Sequence, residues 1–215
     1  MKRTRILFLF LMFVAVAMGG GCSNPAEDAA PATVEEPEAI SAETEAALPS
    51  GTVYTIGEGS TVGFTGSKIT GSHDGGFNSF TGEIILVDGD PAASRVAFTI
   101  DTTSLWADAE KLTGHLKSPD FFDVETYPTA KFVSTAIVAA EPGYEVTGNL
   151  VLHGITKQIT FPAAIEVAEG VVKATAEFFV MRFDFKIEYP GRPDDLIRDE
   201  VVIRLDINAR EQAGI

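Results

Sequence analysis

The chain has 215 residues, of which 45% are hydrophobic and 22% charged, and a formal charge of −15. So acidic a protein repels nucleic acid and anionic lipid headgroups, which argues against binding to either phosphate surface. Its one cysteine, Cys22, excludes an internal disulfide, and no internal repeat points to a solenoid.

The chain opens with Met1-Lys2-Arg3-Thr4-Arg5, followed by an apolar run from Ile6 to Met18 and then Gly19-Gly20-Gly21-Cys22. A basic start, a short greasy stretch and small residues at the end describe a secretory signal over residues 1–21. The run is too short for a membrane span, which needs about 18 apolar residues or more. A signal ending in Gly-Cys resembles that of a bacterial lipoprotein, which implies that Cys22 is acylated after cleavage; Gly19 departs from the usual leucine. Acyl chains would hold the protein at a bilayer. The expected location is the bacterial cell envelope, facing the periplasm. Ser23 follows Cys22 where an aspartate would signal inner-membrane retention, so the outer membrane is the expected anchor.

From Cys22 to Ser50 the sequence is rich in Ala, Pro and Glu and carries no lysine or arginine. Val34, Ile40 and Leu48 are its only sizeable apolar residues, too few to offset the entropy of ordering it. Residues 22–50 therefore read as a disordered acidic tether, and residues 51–215 as one domain with one core.

The domain alternates apolar and polar residues with period two, the pattern of strands with one buried face. Val62 and Phe64 begin it, residues 77–87 continue it less cleanly, and Val96, Phe98 and Ile100 carry it on. Tyr144 to Leu152, Gln158 to Val167, Val172 to Phe178 and Val201 to Ile207 repeat it. Turn signals at Asp88-Gly89-Asp90-Pro91, Glu141-Pro142-Gly143, His153-Gly154, Glu169-Gly170 and Pro190-Gly191 separate the runs and favour antiparallel neighbours. Such strands close into a barrel or pack as two sheets; about eight in a closed barrel leave room for side chains or one small ligand. We expect an all-β antiparallel barrel. One segment breaks the pattern: Thr103 or Ser104 can cap a short helix with Leu105, Ala109, Leu112 and Leu116 on one face, a lid or a plug at one mouth.

Signs of catalysis are sparse. His73, His115 and His153 lie in separate contexts without metal-ligand spacing, and no Gly-x-Ser-x-Gly turn or phosphate-binding glycine pattern occurs. Asp101, Asp123 and Asp184 show no pairing. The expectation is a non-enzyme without cofactor or metal. His73 and His153 read as loop and turn residues, whereas His115, beside Leu116, can face inward toward a ligand headgroup. Twelve of the fifteen phenylalanines lie in the domain, which suits either a filled core or a tunnel for a hydrocarbon chain, with Gly148, Ala174 and Ala176 leaving room.

The run His115-Leu116-Lys117-Ser118-Pro119-Asp120-Phe121-Phe122-Asp123-Val124-Glu125-Thr126-Tyr127-Pro128 resembles the central signature of the YceI family. Gly76-Phe77-Asn78-Ser79-Phe80-Thr81-Gly82, residues 146–157 and Glu200 to Ile207 match further family segments in order. The resemblance implies a lipocalin-like barrel in an exported protein whose interior holds a polyisoprenoid or isoprenoid quinone. On that basis Phe64, Phe98, Phe132, Phe161 and Phe178 are expected as wall, and Leu105, Trp106, Leu116, Phe121 and Phe122 as lid. His115 is the expected headgroup contact. A homodimer is left open. The alternative is an envelope stress or structural module with a solid barrel that acts through protein partners. Departures from the family pattern are Lys111-Leu112-Thr113-Gly114, which lacks an acid; Lys186, where glycine would sit; and the insert Pro190-Gly191-Arg192-Pro193-Asp194-Asp195.

Overall fold

The computed structural model describes residues 24–38 and 50–212. Its strands are β1 (Ala30–Pro31), β2 (Thr33–Glu35), β3 (Thr52–Ile56), β4 (Thr61–Lys68), β5 (Gly71–Phe77), β6 (Phe80–Val87) and β7 (Asp90–Asp101). After β8 (Leu105–Ala107) comes the helix α1 (Glu110–Lys117). There follow β9 (Thr129–Ala139), β10 (Tyr144–Leu152), β11 (Ile155–Ala168), β12 (Val171–Met181), β13 (Gly191–Arg192) and β14 (Asp195–Glu211).

Eight strands form a closed antiparallel ring in the order β12-β11-β10-β9-β7-β6-β3-β14, and β14 returns to β12. The longest strand makes the closure. β14 pairs along one edge with β12 and along the other with β4 and then β3. From β4 the sheet continues through β5 to β8, flaring beyond the ring. Closure removes the unpaired edges that antiparallel strands otherwise expose. The alternating residues seen in the sequence face inward: Val96, Phe98 and Ile100 on β7 line the interior with Val201, Ile203, Leu205 and Ile207 on β14.

Two hairpins carry the expected turn chemistry. Asp88-Gly89 and His153-Gly154 each place two successive residues at positive φ, the geometry that lets a two-residue loop follow the strands' twist. His153 is thereby a turn residue; its Nδ1 lies 3.1 Å from the Phe185 carbonyl oxygen and its ring packs on Tyr127.

The helical insert differs from the sequence reading. Thr102–Ser104 form one 3₁₀ turn, capped by the Asp101 side chain accepting from the Thr103 N–H. Leu105 then enters β8, registered opposite Phe77, and the α-helix begins only at Glu110. Pairing with the free edge of β5 outweighs the weak helical propensity of residues 103–109.

The acidic segment also departs from expectation. Over residues 24–38 it is a strap built into the wall. β11 and β12 pair only from Ala164 to Ala168 against Val171 to Thr175, after which they part. Into that slit come Ala30 and Pro31, parallel to Phe178 and Phe179, and Thr33 to Glu35, antiparallel to Thr160 to Gln158. Ala32 and Val34 pack against the core, and Ala26 and Ala29 cover Val202, an outward residue left only 1% exposed. Lys157 Nζ donates to Glu36 at 2.6 Å, and the Asn149 side chain donates to the Glu38 carbonyl. Two spare sheet edges supply the hydrogen bonds, so the segment needs few apolar side chains of its own. Residues 1–23, where the signal and the acylated Cys22 are expected, residues 39–49 and residues 213–215 lie outside the described residues.

Lys186 ends the 3₁₀ turn Arg182–Phe185 with φ 56, a left-handed conformation that glycine adopts without steric cost. It borders an outer hollow with Lys157 and Glu188 and does not line the interior.

Deleting residues 24–35 reopens the slit and uncovers Val202; unfolding stability in urea should fall by about 2–4 kcal/mol. Replacing Lys186 by glycine should instead raise it by about 1 kcal/mol in the same measurement, because a left-handed side chain is relieved.

Candidate functional site

The barrel interior is an apolar cavity of about 760 Å³. One end is shut by aliphatic residues, among them Ile56, Ile84, Ile165 and Ile207, with Tyr54, Val172 and Ala209 buried in the same cluster. At the other end the lining includes Lys68 and His73, whose side chains are 37% and 44% exposed, so the cavity reaches solvent there. α1 sits at this mouth and contributes Leu112, His115 and Leu116.

So phenylalanine-rich an interior stays open because of where the rings lie. A Cβ on Gly75 would stand 2.4 Å from the tip of the Phe64 ring, its registered partner across β4 and β5. Gly82 and Phe98 repeat the arrangement across β6 and β7 at 2.7 Å. On β10, a Gly148 Cβ would meet the Phe132 ring at 2.4 Å. Each ring folds back on a glycine of the next strand and lies along the wall. A side chain at the glycine would push the ring off it, a contact worth several dispersion interactions per ring. Phe161 and Phe178 solve the same problem by stacking, with centroids 4.3 Å apart and planes at 14°. Gly148 thus seats a ring, whereas Ala174 and Ala176 line the lumen directly and leave width there.

Among the residues expected at the site, Phe64, Phe98, Phe132, Phe161 and Phe178 all line the cavity, and so do His115, Leu116, Phe121 and Phe122. Two do not. Leu105 is 1% exposed and packs behind the lid with Phe64, Leu116 and Phe121. Trp106, 41% exposed, lies on the outer face with its indole across Gly76. Both belong to β8, where neighbouring side chains take opposite faces, so the helical face drawn through Leu105 does not exist. The lid consists of α1 and the turn carrying Phe121 and Phe122, closed by aromatic contacts of Phe122 with Phe64 and Phe77.

Polar groups gather at the mouth. His115 Nε2 lies 2.8 Å from Asp120 Oδ2, and the imidazole packs edge-on against Phe121 and Tyr189. His73 Nδ1 lies 2.7 Å from Asp108 Oδ1. Burial acts to raise the Asp108 pKa, but the Asp74 N–H and His73 outweigh it and hold the carboxyl below its ordinary value. Lys68 is paired with Asp195, whose carboxyl it likewise holds low. Arg182 is buried and donates to the carbonyls of Ile187, Arg198 and Ile197; burial depresses its pKa against the pull of Asp199 and Glu188. Sequence reasoning singled out neither the glycine seats Gly75 and Gly82 nor the basic residues of this mouth. Among the described residues no cluster of His, Cys, Asp and Glu is arranged to hold a metal, and no helix is long and apolar enough to cross a membrane.

A closed antiparallel barrel around an apolar cavity, with a helical lid at one mouth, defines a lipocalin-like protein. The chain belongs to the YceI-like domain family, whose model matches residues 54–209. A UPF0312 protein of Pseudomonas putida (strain W619) is 43% identical over 90 residues, 41% of this chain and 47% of that protein. A UPF0312 protein of Pseudomonas aeruginosa (strain LESB58) is 38% identical over 91 residues, 42% of this chain and 48% of that protein. The match thus spans about half the length of these relatives. Among solved structures, Burkholderia cenocepacia BcnA superposes with a TM-score of 0.61 at 24% identity, covering 69% of this chain and 95% of its own. A polyisoprenoid binding domain from Saccharophagus degradans, implicated in plant cell wall breakdown, gives 0.60 at 16% identity, covering 75% and 99%. At these identities the likeness concerns the fold.

Replacing Gly148 by alanine should displace the Phe132 ring. A loss of about 1–3 kcal/mol in thermal or urea unfolding is expected, against well under 1 kcal/mol for Gly89→Asn at an open turn.

Proposed function

We propose that this protein binds an isoprenoid lipid, a polyisoprenoid or isoprenoid quinone, with its chain in the barrel, and sequesters or carries it in the bacterial envelope. The observation that carries the reading is the open apolar cavity of about 760 Å³ under an aromatic lid. Ligand pockets of this size and polarity are typical of small amphiphile sites. The Saccharophagus degradans neighbour, named as a polyisoprenoid binding domain, supports the same class of ligand. Binding rests on apolar area removed from water: roughly 400 Å² of prenyl chain is worth on the order of 10 kcal/mol before the costs of association. Few polar contacts are then required, and chain length is selected by tunnel depth.

In this reading acylated Cys22 tethers the barrel to a membrane, with the outer membrane as its site and the periplasm as its surroundings; the leader sequence supports this. The protein works as a carrier and not as a catalyst. The alternative, a solid barrel acting only through its outer face, leaves the open interior without a role.

The test is organic extraction of purified protein followed by mass spectrometry, with uptake of added prenyl lipid as a second arm. Stoichiometric lipid, or uptake, is expected; neither would end the proposal. Ala176→Trp, which fills the lumen, should weaken long-chain prenyl binding by about tenfold or more in a fluorescence displacement titration.

A further inference from the structure

Exposed large apolar residues such as Trp106, Val133 and Val138 are scattered over the outer wall, as on any soluble protein, but at the open end of the barrel they gather. The β4–β5 hairpin turns at Ile69-Thr70, and β13 folds back on β14 beside Leu196. The Ile69 N–H donates to the Leu196 carbonyl at 3.2 Å, so the two tips adjoin, and the two residues are 53% and 46% exposed. Lys68 and Asp195, immediately before them, line the tunnel mouth and pair with each other. The Thr70 N–H and hydroxyl donate to the same carboxylate, which fastens the tips together at the rim. Beside them Arg182 ties the 3₁₀ turn Arg182–Phe185 to the carbonyls of Ile197 and Arg198, and Phe183 on that turn is 46% exposed.

The closed end is built differently. β6, β9 and β11 run the same way around the antiparallel ring, toward the cluster that holds Tyr54, Leu86 and Val172. Their turns are Asp88-Gly89, Glu141-Pro142-Gly143 and Glu169-Gly170, each acidic and without a large apolar residue. One end of the molecule is therefore apolar at its tips and open to the tunnel, and the other is acidic and shut.

Area and charge select the partner. Three side chains cover far less than the roughly 800 Å² per partner of a stable protein interface, so they would not hold a second copy. A bilayer needs no matched surface: apolar side chains enter its interfacial layer one by one, while the acidic turns at the far end stay in water. The formal charge of −15 favours a zwitterionic surface over an anionic one.

We propose that the open end of the barrel docks on a zwitterionic lipid bilayer, with Ile69, Leu196 and Phe183 in its interfacial layer, and that the prenyl chain passes there between membrane and tunnel without crossing water. This docking presupposes the tunnel proposed above and adds the surface through which it is loaded.

The experiment uses the chain from residue 22 onward with Cys22→Ser, which removes the expected acylation site and leaves no other cysteine. A bimane label at Leu196→Cys should be quenched by phosphatidylcholine vesicles that carry doxyl groups on their acyl chains. The same label at Val138→Cys, exposed on β9 toward the closed end, should not be. In the second arm, protein loaded with a fluorescent prenyl alcohol is mixed with plain phosphatidylcholine vesicles in a stopped flow. The transfer rate should rise in proportion to vesicle concentration and fall about fivefold or more when Ile69→Ser and Leu196→Ser are combined. Both positions are exposed, so equilibrium affinity for the prenyl alcohol should stay within about twofold. No quenching at position 196, or a rate independent of vesicle concentration, overturns the docking and leaves the tunnel standing; so does an unchanged rate in the doubly substituted protein. Quenching at both labels overturns the assignment to the open end. Quenching at 196 alone, with no uptake of the prenyl alcohol, overturns the tunnel and leaves the docked face.

Discussion

Phenylalanine rings laid against glycines keep the interior of this barrel hollow. An eight-stranded ring has space for its own side chains or for a guest, and large inward aromatics ordinarily decide for the former. Here Phe64, Phe98 and Phe132 each find a neighbouring-strand glycine, Gly75, Gly82 or Gly148, on which the ring lies along the wall. The rings bury their faces without projecting to the axis, and Ala174 and Ala176 leave the middle of the lumen wide. The result is an apolar surface with almost no hydrogen-bonding demand.

That wall holds its shape because two separate devices manage its edges. β14 spans the structure and closes the ring against β12 while gathering β3 and β4 on its other side. The strap from Ala30 to Glu35 fills the slit where β11 and β12 part. The strap thus belongs to the barrel wall and is not an appendage to it. Glu36 and Glu38 hold the end of the strap to the barrel's outer face through Lys157 and Gln158.

Polarity is confined to the mouth. His115 with Asp120, His73 with Asp108, and Lys68 with Asp195 pair around the opening. Arg182, buried against the Phe183 ring and tied to three carbonyls, fastens the turn after β12 to Ile187 and to Ile197 and Arg198 near the start of β14. The insert that carries Arg192 and Asp195, though a departure from the family pattern, extends the rim without altering the barrel.

Much of this was legible in one dimension. Period-two alternation with frequent turn signals determines an antiparallel β domain, because the pleat sends successive side chains to opposite faces, and the inward set on β7, β10, β12 and β14 follows from it. The signature from His115 to Pro128 determines the family and the lid aromatics. Tertiary structure alone decided whether the interior is solid or hollow, since that depends on which glycine faces which ring across a strand pair, a register that no local pattern encodes. It also decided that Leu105 and Trp106 belong to a strand and that residues 24–38 enter the wall. Each of these is the satisfaction of backbone groups by a partner far away in the chain, and sequence reports composition near a residue, not the free edge that will receive it.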